Sequence, residues 1–492
     1  MTRKNNLFPR SQAIFVNGSQ ESELYFPPGS SFFEKEIFSM EDMMPRPPKL
    51  DPEKALADSL AEVVRLFPPE DIRLVAQETG FIQRLRKIDP VVFFWNLILG
   101  FSCSAQRTLD ALRRQFQTIA DVDLVPSSFL DRFSPNLVKF LKTLLERAWK
   151  NFCQTSPLTG PLAQFADISI FDGTIVTLFK SLSRIFPGVK SPAAAKITVV
   201  MSVRNYNAKS IHIFPGSKAD AETVRLGPWV KNHLLLFDLG YFKYQIFARI
   251  LKNGGSFVSR LKKSANPLIV KVHKTHRGNA IPMEGKRLQD VLPALKRQEI
   301  DVEIEVAFKH RIYGGEERKD TLRLRLVGMM NAETGEYHLY LTNLPESTFS
   351  PEQISQLYRG RWFIELLFKE LKSRYALDVI KTSKAEVVEA LIYAGLLTLT
   401  VSKAMFLMYQ KAMIRSHRRM TPLRWATIFY EQVPRLMVRI LKKSGVDVSL
   451  GDLLAQSMLE AEDPTPRRER LEDVWDLGEH DHSFMRTLPP KL

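Results

Sequence analysis

The spacing of apolar residues divides the chain into a helical first part and a β-rich continuation. From 51 to about 160, apolar residues recur at helical spacing in EKALADSLAEVVRLF, FIQRLRKIDPVVFFWNLILGF, AQRTLDALRRQF and FLDRFSPNLVKFLKTLLERAWKNF. From about 165, ADISIFDGTIVTLF alternates like a half-buried strand, and KITVVMSVRN and SIHIFPG follow it. These three runs predict an antiparallel meander of three strands.

Two aspartates occupy positions that suit a site on a sheet. Asp172 shares one side of the first strand with Ile168 and Ile170. Asp238 ends the apolar run 234–237 and precedes the helical segment YQIFARILKNG. Open α/β sheets bind their ligands at the carboxyl ends of buried strands, which favours Asp238.

Two other aspartates stay open as rivals. Asp220 lies between the third strand and the next helix, and Asp167 begins the first strand and faces its other side. We favour Asp238 and Asp172 because catalytic carboxylates need rigid support.

A polar stripe crosses the apolar segment 353–372, QISQLYRGRWFIELLFKELK. Tyr358, Arg361, Glu365 and Lys372 lie 0, 3, 7 and 14 residues from its first member, within about 60° on one helix. The segment predicts a single, largely buried helix with one polar face, on which we expect Arg361 and Lys372 to face solvent. One interpretation is a functional site; the other is a surface stripe stabilised by ion pairs at i, i+4 spacing, such as Arg361 with Glu365.

The order Tyr, Arg, Glu, Lys favours the first interpretation. The pattern Y-x2-R-x3-E-x6-K is similar to the signature of the insertion-sequence-four family of bacterial DDE transposases, and all four positions and spacings match. FDGT, which contains Asp172, also resembles the segment around the first acid of that family. The resemblance covers about 165–400 and implies a cut-and-paste DNA transposase that cleaves and transfers strands at the ends of an insertion sequence.

The resemblance also implies the fold and the roles of the site residues. A ribonuclease-H-like core would bring Asp172, Asp238 and Glu365 together around two Mg²⁺ ions, or Mn²⁺, since hard cations prefer oxygen ligands. Asp172 and Asp238 would share one ion, and Glu365 would complete the other. Tyr358, Arg361 and Lys372 would bind DNA phosphates near the cut, positioning the strand without reading its sequence.

Some relatives cut through a DNA hairpin and trap a flipped base on an aromatic side chain, often Trp, of a β-rich insertion. Residues 251–345 predict such an insertion, because short strands there are joined by turns. None of the six tryptophans lies in it, so Tyr313 and Phe308 are the available substitutes. Between Lys252 and Met283 the insertion carries seven Lys or Arg and no acid, which suits a DNA backbone track or a solvated surface.

Composition agrees with a nucleic-acid partner. The net charge of +16 and the pI near 9.6 indicate a polyanionic partner, for which nucleic acid is the natural candidate. The resemblance implies that this partner is double-stranded DNA with terminal inverted repeats and target sites, bound by a homodimer. The apolar segments 91–101 and 387–402 look too short or too Thr-interrupted to span a bilayer, and MTRKNNLFPR does not resemble a signal peptide. Two cysteines suit a reducing compartment, so we expect a bacterial cytoplasmic, nucleoid-associated protein.

The predicted fold class is therefore α+β or α/β: a ribonuclease-H-like catalytic core, interrupted by a β-rich insertion, with a helical N-terminal DNA-binding domain. Two alternatives remain open: a structure-specific nuclease on the same fold, and a DNA-binding descendant that has lost catalysis. The predicted domains are a flexible arm at 1–50, a helical DNA-binding domain at 51–160 and the first part of the core at 165–250. They continue with the β-rich insertion at 251–345, the second part of the core with the signature helix at 346–412, and a basic helical region with an acidic tail at 413–492.

Overall fold

The computed structural model describes residues 51–84, 87–102, 107–152, 158–204, 207–273, 282–295, 297–309, 319–375, 377, 380–414 and 420–448. The predicted arm and the predicted acidic tail, from 459 onwards, lie outside the described residues.

Helices occupy the first hundred described residues, as the apolar spacing predicts. Several begin with proline, which is tolerated in the first turn because the first backbone N–H groups have no partner within the helix. The α-helices of this part are α1 Pro52–Leu66, α2 Pro69–Glu78, α3 Pro90–Trp95, α4 Leu109–Ala120, α5 Pro126–Leu130 and α6 Pro135–Lys150, and α3 continues as a π-helix, Asn96–Phe101.

A mixed sheet of nine strands, counted among the described residues, forms the centre of the fold. Its order is β3-β2-β1-β4-β5-β9-β8-β7-β6. The strands are β1 Asp167–Thr177, β2 Ala194–Ser202, β3 Asn207–Pro215, β4 His233–Phe237, β5 Ser256–Arg260, β6 Leu268–Val272, β7 Glu299–Lys309, β8 Lys319–Met330 and β9 Tyr337–Thr342. The predicted class, a mixed α/β protein, is confirmed.

Strand directions change along this sheet. Strands β1, β2 and β3 form the predicted antiparallel meander, whereas β4 pairs parallel with β1 and β5 parallel with β4. Strand β9 then pairs antiparallel with β5, so β6 to β9 extend the same sheet. The chain between β5 and β9 therefore adds strands β6, β7 and β8 to the same sheet, beyond β9.

The remaining helices lie beside the sheet or follow it. They are α7 Asp220–Thr223, α8 Tyr244–Lys252, α9 Leu288–Val291, α10 Pro351–Arg359, α11 Trp362–Ser373, α12 Ala385–Ile414 and α13 Pro422–Lys443. Short 3₁₀ turns occupy Gly160–Gln164, Lys180–Leu182, Pro228–Val230, Leu239–Tyr241 and Leu292–Ala294.

The prediction of one helix over 353–372 is wrong, because that segment forms two helices, α10 and α11. Between them the backbone bonds span three residues: Arg361 N–H donates to Tyr358 O, and Ile364 N–H donates to Arg361 O. Gly360, a poor helix former, lies at this point, and the tighter turn shifts the angular position of the side chains that follow.

Helix α12 contains the apolar segment 387–402 and is longer than that segment, which corrects the estimate that the segment is too short or too Thr-interrupted to span a bilayer. Residues Ala385–Met413 are long and apolar enough to cross a bilayer by length and composition alone, but 94% of the most apolar window is buried inside the protein. Helices α1 and α6 pack against it. Trp149 Nε1 donates to Thr400 Oγ1 at 3.1 Å, and Thr398 Oγ1 donates to Ile98 O at 2.5 Å, so the helical first part packs against α12 and bonds to it.

Candidate active site

Parallel pairing of β1 with β4 brings the two candidate aspartates together. Phe171 is paired with Phe237, so Asp172 within β1 and Asp238 just after β4 lie at the same level of the sheet. Asp172 is mostly buried within β1, whereas Asp238 ends β4 with 44% of its side chain exposed. The sheet therefore supplies one enclosed and one accessible carboxylate.

The first turn of α11 delivers the third acid. Glu365 lies one turn after Arg361, which caps the helix, and α11 contacts β1. Since Ile364 and Leu367, on either side in the sequence, are buried, packing of α11 fixes the direction of Glu365.

Arg361 lies among all three acids. Its Nη2 is 2.5 Å from Glu365 Oε1, its Nη1 is 3.6 Å from Asp172 Oδ2, and its Nε is 3.8 Å from Asp238 Oδ1. The side chain is only 16% exposed, which corrects the expectation that it faces solvent. The predicted i, i+4 pair with Glu365 is present, but as part of a site with three carboxylates.

The electrostatics of Asp172 reflect this crowding. The pKa of Asp172 is raised to about 6, chiefly by burial and to a smaller extent by the charges of Asp238 and Glu365, against the lowering effect of the Gly173 N–H and Arg361. That N–H donates to Asp172 Oδ1 at 2.7 Å. A buried carboxylate beside two others requires positive charge nearby to stay ionised.

The donor chemistry of this cluster fits divalent cations. Three carboxylates supply the hard oxygen ligands that Mg²⁺ and Mn²⁺ prefer, and one guanidinium provides positive charge between them. Within the described part of the chain, no three His, Cys, Asp or Glu side chains lie close enough together to bind one ion. Arg361 lies where these carboxylates meet, so its guanidinium and a bound cation would compete for the same oxygens.

The other two members of the stripe lie at different depths. Tyr358, in the last turn of α10, is buried, and its ring centroid is 5.9 Å from the Arg361 Cζ. Burial raises the pKa of Tyr358 to about 12, so its hydroxyl stays protonated at neutral pH. Lys372 is half-buried near the end of α11, about 10 Å along the helix from Glu365.

The two rival aspartates have other partners. Asp220 Oδ1 is 2.6 Å from Lys196 Nζ, and its carboxylate packs against Gly240 in the turn after Asp238. Asp167 Oδ2 lies 3.5 Å from Lys209 Nζ at the other end of β1. The structure thus groups Asp172 and Asp238, and not their rivals, around Arg361.

Sequence reasoning missed Tyr241, the last residue of the 3₁₀ turn after Asp238. Its ring is buried, and a side chain at Gly173 would come within 3.3 Å of its hydroxyl. Burial, followed by the charge of Asp172, raises the pKa of Tyr241 far above its usual range. Its position three residues beyond a candidate acid was the one available signal.

Two further predictions concern the predicted insertion, residues 251–345. Phe308, a proposed substitute for the base-trapping Trp, is buried in β7, and Tyr313 lies outside the described residues. The predicted basic track includes exposed lysines on β6 and near β5, namely Lys252, Lys262, Lys263 and Lys271. That this track contacts the DNA backbone stays a prediction.

Comparison with known proteins agrees with the motif. A sequence model described as the Transposase DDE domain matches residues 163–401. The transposase for insertion sequence element IS231B of Bacillus thuringiensis subsp. berliner is 24% identical over 404 residues, covering 73% of this chain and 81% of that protein. The transposase for IS1151 of Clostridium perfringens is 27% identical over 385 residues, covering 71% and 80%.

Two shorter or weaker likenesses complete the comparison. A putative transposase InsL for IS186A of Escherichia coli strain K12 is 44% identical over 73 residues, covering 15% of this chain and 20% of that protein. Among solved structures, the piggyBac transposase synaptic complex with hairpin DNA aligns at a TM-score of 0.39 and 11% identity, over 87% of this chain and 90% of that one.

The motif and the long sequence matches point to one conclusion. Residues 163–401 include β1, β4 and α11, the elements that carry Asp172, Asp238 and Glu365. The predicted family and the predicted enzyme class, a DDE transposase, are confirmed by these matches. These matches support a DDE transposase that is similar, over more than two thirds of the chain, to the transposases of insertion sequences.

Proposed function

We propose that this DNA transposase cleaves DNA at the ends of an insertion sequence and joins the freed ends to target DNA through Asp172, Asp238 and Glu365. One observation carries the assignment: side chains from β1, from the end of β4 and from α11 all lie within 4 Å of one guanidinium. Carboxylates from distant segments have to meet in this way to hold the metal ions at which a phosphodiester is attacked.

The three carboxylates would hold divalent cations, with Asp172 and Asp238 sharing one and Glu365 completing a second. DDE transposases use divalent metal ions, and Mg²⁺ suits this oxygen-only donor set. Bound there, such ions activate a water or 3′-hydroxyl nucleophile and stabilise charge at phosphorus. Asp172, with 19% of its side chain exposed, would be the more rigid ligand, and Asp238, with 44% exposed, the more accessible one.

Arg361 would exchange one set of partners for another. Its forked guanidinium can contact two oxygens of a phosphate, as it now contacts carboxylates. Lys372 adds a point charge further along α11, and the buried Tyr358 restricts where Arg361 can move. A DNA phosphate would thus compete with the three carboxylates for the Arg361 guanidinium.

The rest of the chain would serve DNA binding. We assign end recognition to helical residues 51–160, backbone contact to the insertion 251–345, and the catalytic core, built on a ribonuclease-H-like plan, to 165–250 and 346–412. The basic region 413–492 and the arm 1–50 are the remaining segments that would serve DNA binding. A homodimer acting on double-stranded DNA in the bacterial cytoplasm, at the nucleoid, is the expected assembly.

The direct test uses purified full-length protein and a DNA fragment carrying both ends of the element. We expect cleavage at the element boundaries only when Mg²⁺ or Mn²⁺ is added, followed by joining of the ends to a target plasmid. Cleavage without joining, directed by DNA structure and not by end sequence, would favour the nuclease alternative. End binding without cleavage under any divalent ion would favour a protein that has lost catalysis.

Arg84 and Lys87 test end recognition by the helical first part. Both are exposed in the segment between α2 and α3. If each neutralises one DNA phosphate, replacing both by Ala should weaken binding similarly for all sequences and flatten the plot of log affinity against log salt by about two. Fluorescence anisotropy across a salt series measures this slope. Replacing exposed Lys54 and Lys150 on α1 and α6 is a control, and an unchanged slope for the first variant would place phosphate contacts elsewhere.

A further inference from the structure

A second ion pair of α11 lies on its buried side. Glu370 Oε2 accepts a hydrogen bond from Lys403 Nζ of α12 at 2.5 Å. Only 1% of Glu370 and 3% of Lys403 are exposed, so both charges are almost completely removed from solvent. No role in the chemistry of the acid cluster accounts for this pair.

The pair continues into a hydrogen-bonded network that joins three helices. Tyr375, just after α11, donates to Glu370 Oε1 at 3.0 Å, and its hydroxyl lies 2.8 Å from Ser402 Oγ on α12. Trp425 Nε1 of α13 donates to Ser402 O at 3.0 Å. Both oxygens of Glu370 are thereby engaged, and their partners fix the carboxylate in direction as well as in distance.

Stability alone is a weak reason for such an arrangement. Removing two charges from water costs more than their attraction often returns, and apolar residues of similar size frequently replace a buried pair without loss. What apolar packing does not supply is direction, because Leu and Phe side chains tolerate small rotations and shifts of a helix. A fully bonded charge pair tolerates far less.

The position of Glu370 on α11 connects the fixed orientation of this ion pair to the acid cluster. Glu365 and Glu370 are five residues apart, or about 140° around the helix, so one faces the acid cluster while the other faces α12. We propose that Glu370 and Lys403 are positioning residues, which fix the rotation of α11 and so aim Glu365 and Arg361 at Asp172 and Asp238. The proposal rests on the proposed function, since it assigns these acids to one metal-binding site.

The test replaces the pair without leaving a charge unpaired. Glu370→Leu with Lys403→Met should keep a melting temperature within a few degrees of the wild type. We expect its affinity for Mn²⁺, measured without DNA by electron paramagnetic resonance, to fall about tenfold. Single-turnover cleavage at saturating end DNA should fall about 10²-fold, the loss that a 1 Å misplacement can cause, while the Kd for DNA stays unchanged.

Two further variants separate positioning from packing. Glu370→Lys with Lys403→Glu reverses the pair and should recover most of the Mn²⁺ affinity and cleavage. Val388→Ala removes buried apolar volume about four turns earlier on α12, and should lower the melting temperature without changing Mn²⁺ affinity. Should the apolar double variant fail to fold, Glu370→Gln with Lys403→Gln decides by the same measurements.

Normal Mn²⁺ affinity and normal cleavage in the apolar or the amide double variant would overturn the proposal. Failure of the reversed pair to recover either quantity would overturn it as well, because charge pairing would then not be the cause. Since Mn²⁺ affinity is measured without DNA, it tests the positioning role separately from activity. A wild-type protein that binds Mn²⁺ but never cuts element ends would contradict the proposed function instead.

Discussion

Asp172→Asn, Asp238→Asn and Glu365→Gln should each lower strand cleavage at least about 10³-fold, while binding of end DNA stays close to the wild type. Each change keeps the size of the side chain and removes the negative charge that holds a divalent cation. The loss should therefore fall on the chemical step. Single-turnover cleavage at saturating DNA, beside a binding titration in Ca²⁺, measures the two effects separately.

The rival aspartates supply matched controls. Asp220→Asn and Asp167→Asn make the same chemical change in carboxylates that are paired with Lys196 and Lys209. Per folded molecule, both should cleave within a few-fold of the wild type. If Asp220→Asn abolished cleavage while Asp238→Asn did not, Asp220 would replace Asp238 in the triad.

Leu367→Ala and Arg361→Ala should both destabilise the protein, but only the stability lost in Arg361→Ala should be partly restored by a divalent metal ion. Leu367 is 2% exposed on α11, and truncating a buried Leu costs about 2–5 kcal/mol with or without divalent ions. Arg361→Ala leaves three carboxylates without the guanidinium between them. Mn²⁺ can supply that missing charge, so it should raise the melting temperature of Arg361→Ala more than that of the wild type.

Thermal melts of wild type, Leu367→Ala and Arg361→Ala, each with and without Mn²⁺, measure this contrast. Arg361→Ala should also cleave slowly at saturating Mn²⁺, because the phosphate contact is lost even where the cation binds. Equal Mn²⁺ shifts in all three proteins would show that Arg361 does not occupy the place of the cations. Arg361→Lys is the conservative control, since it keeps one charge but lacks the fork.

Local patterns in the sequence determined a large part of this protein. Alternation of apolar residues predicted β1 to β3 and their antiparallel order, and the apolar run 234–237 predicted a buried strand ending at Asp238. The fixed spacing from Tyr358 to Lys372 indicated the family, which the sequence matches support, and predicted Glu365 as the third acid. These features are readable because strand and helix periodicity, and the spacing of a motif, are properties of neighbouring residues.

Other features depended on contacts between distant segments, and only the tertiary structure decided them. Pairing of β1 with β4 placed Asp172 beside Asp238, and the tight turn at Gly360 placed Arg361 among the acids and not in solvent. Burial of α12 beneath the first helices showed that its apolar length belongs to the core. Lys403 contacts Glu370 only because α12 packs against α11. The spacing of residues in the sequence does not encode such packing between helices, so it did not predict this ion pair.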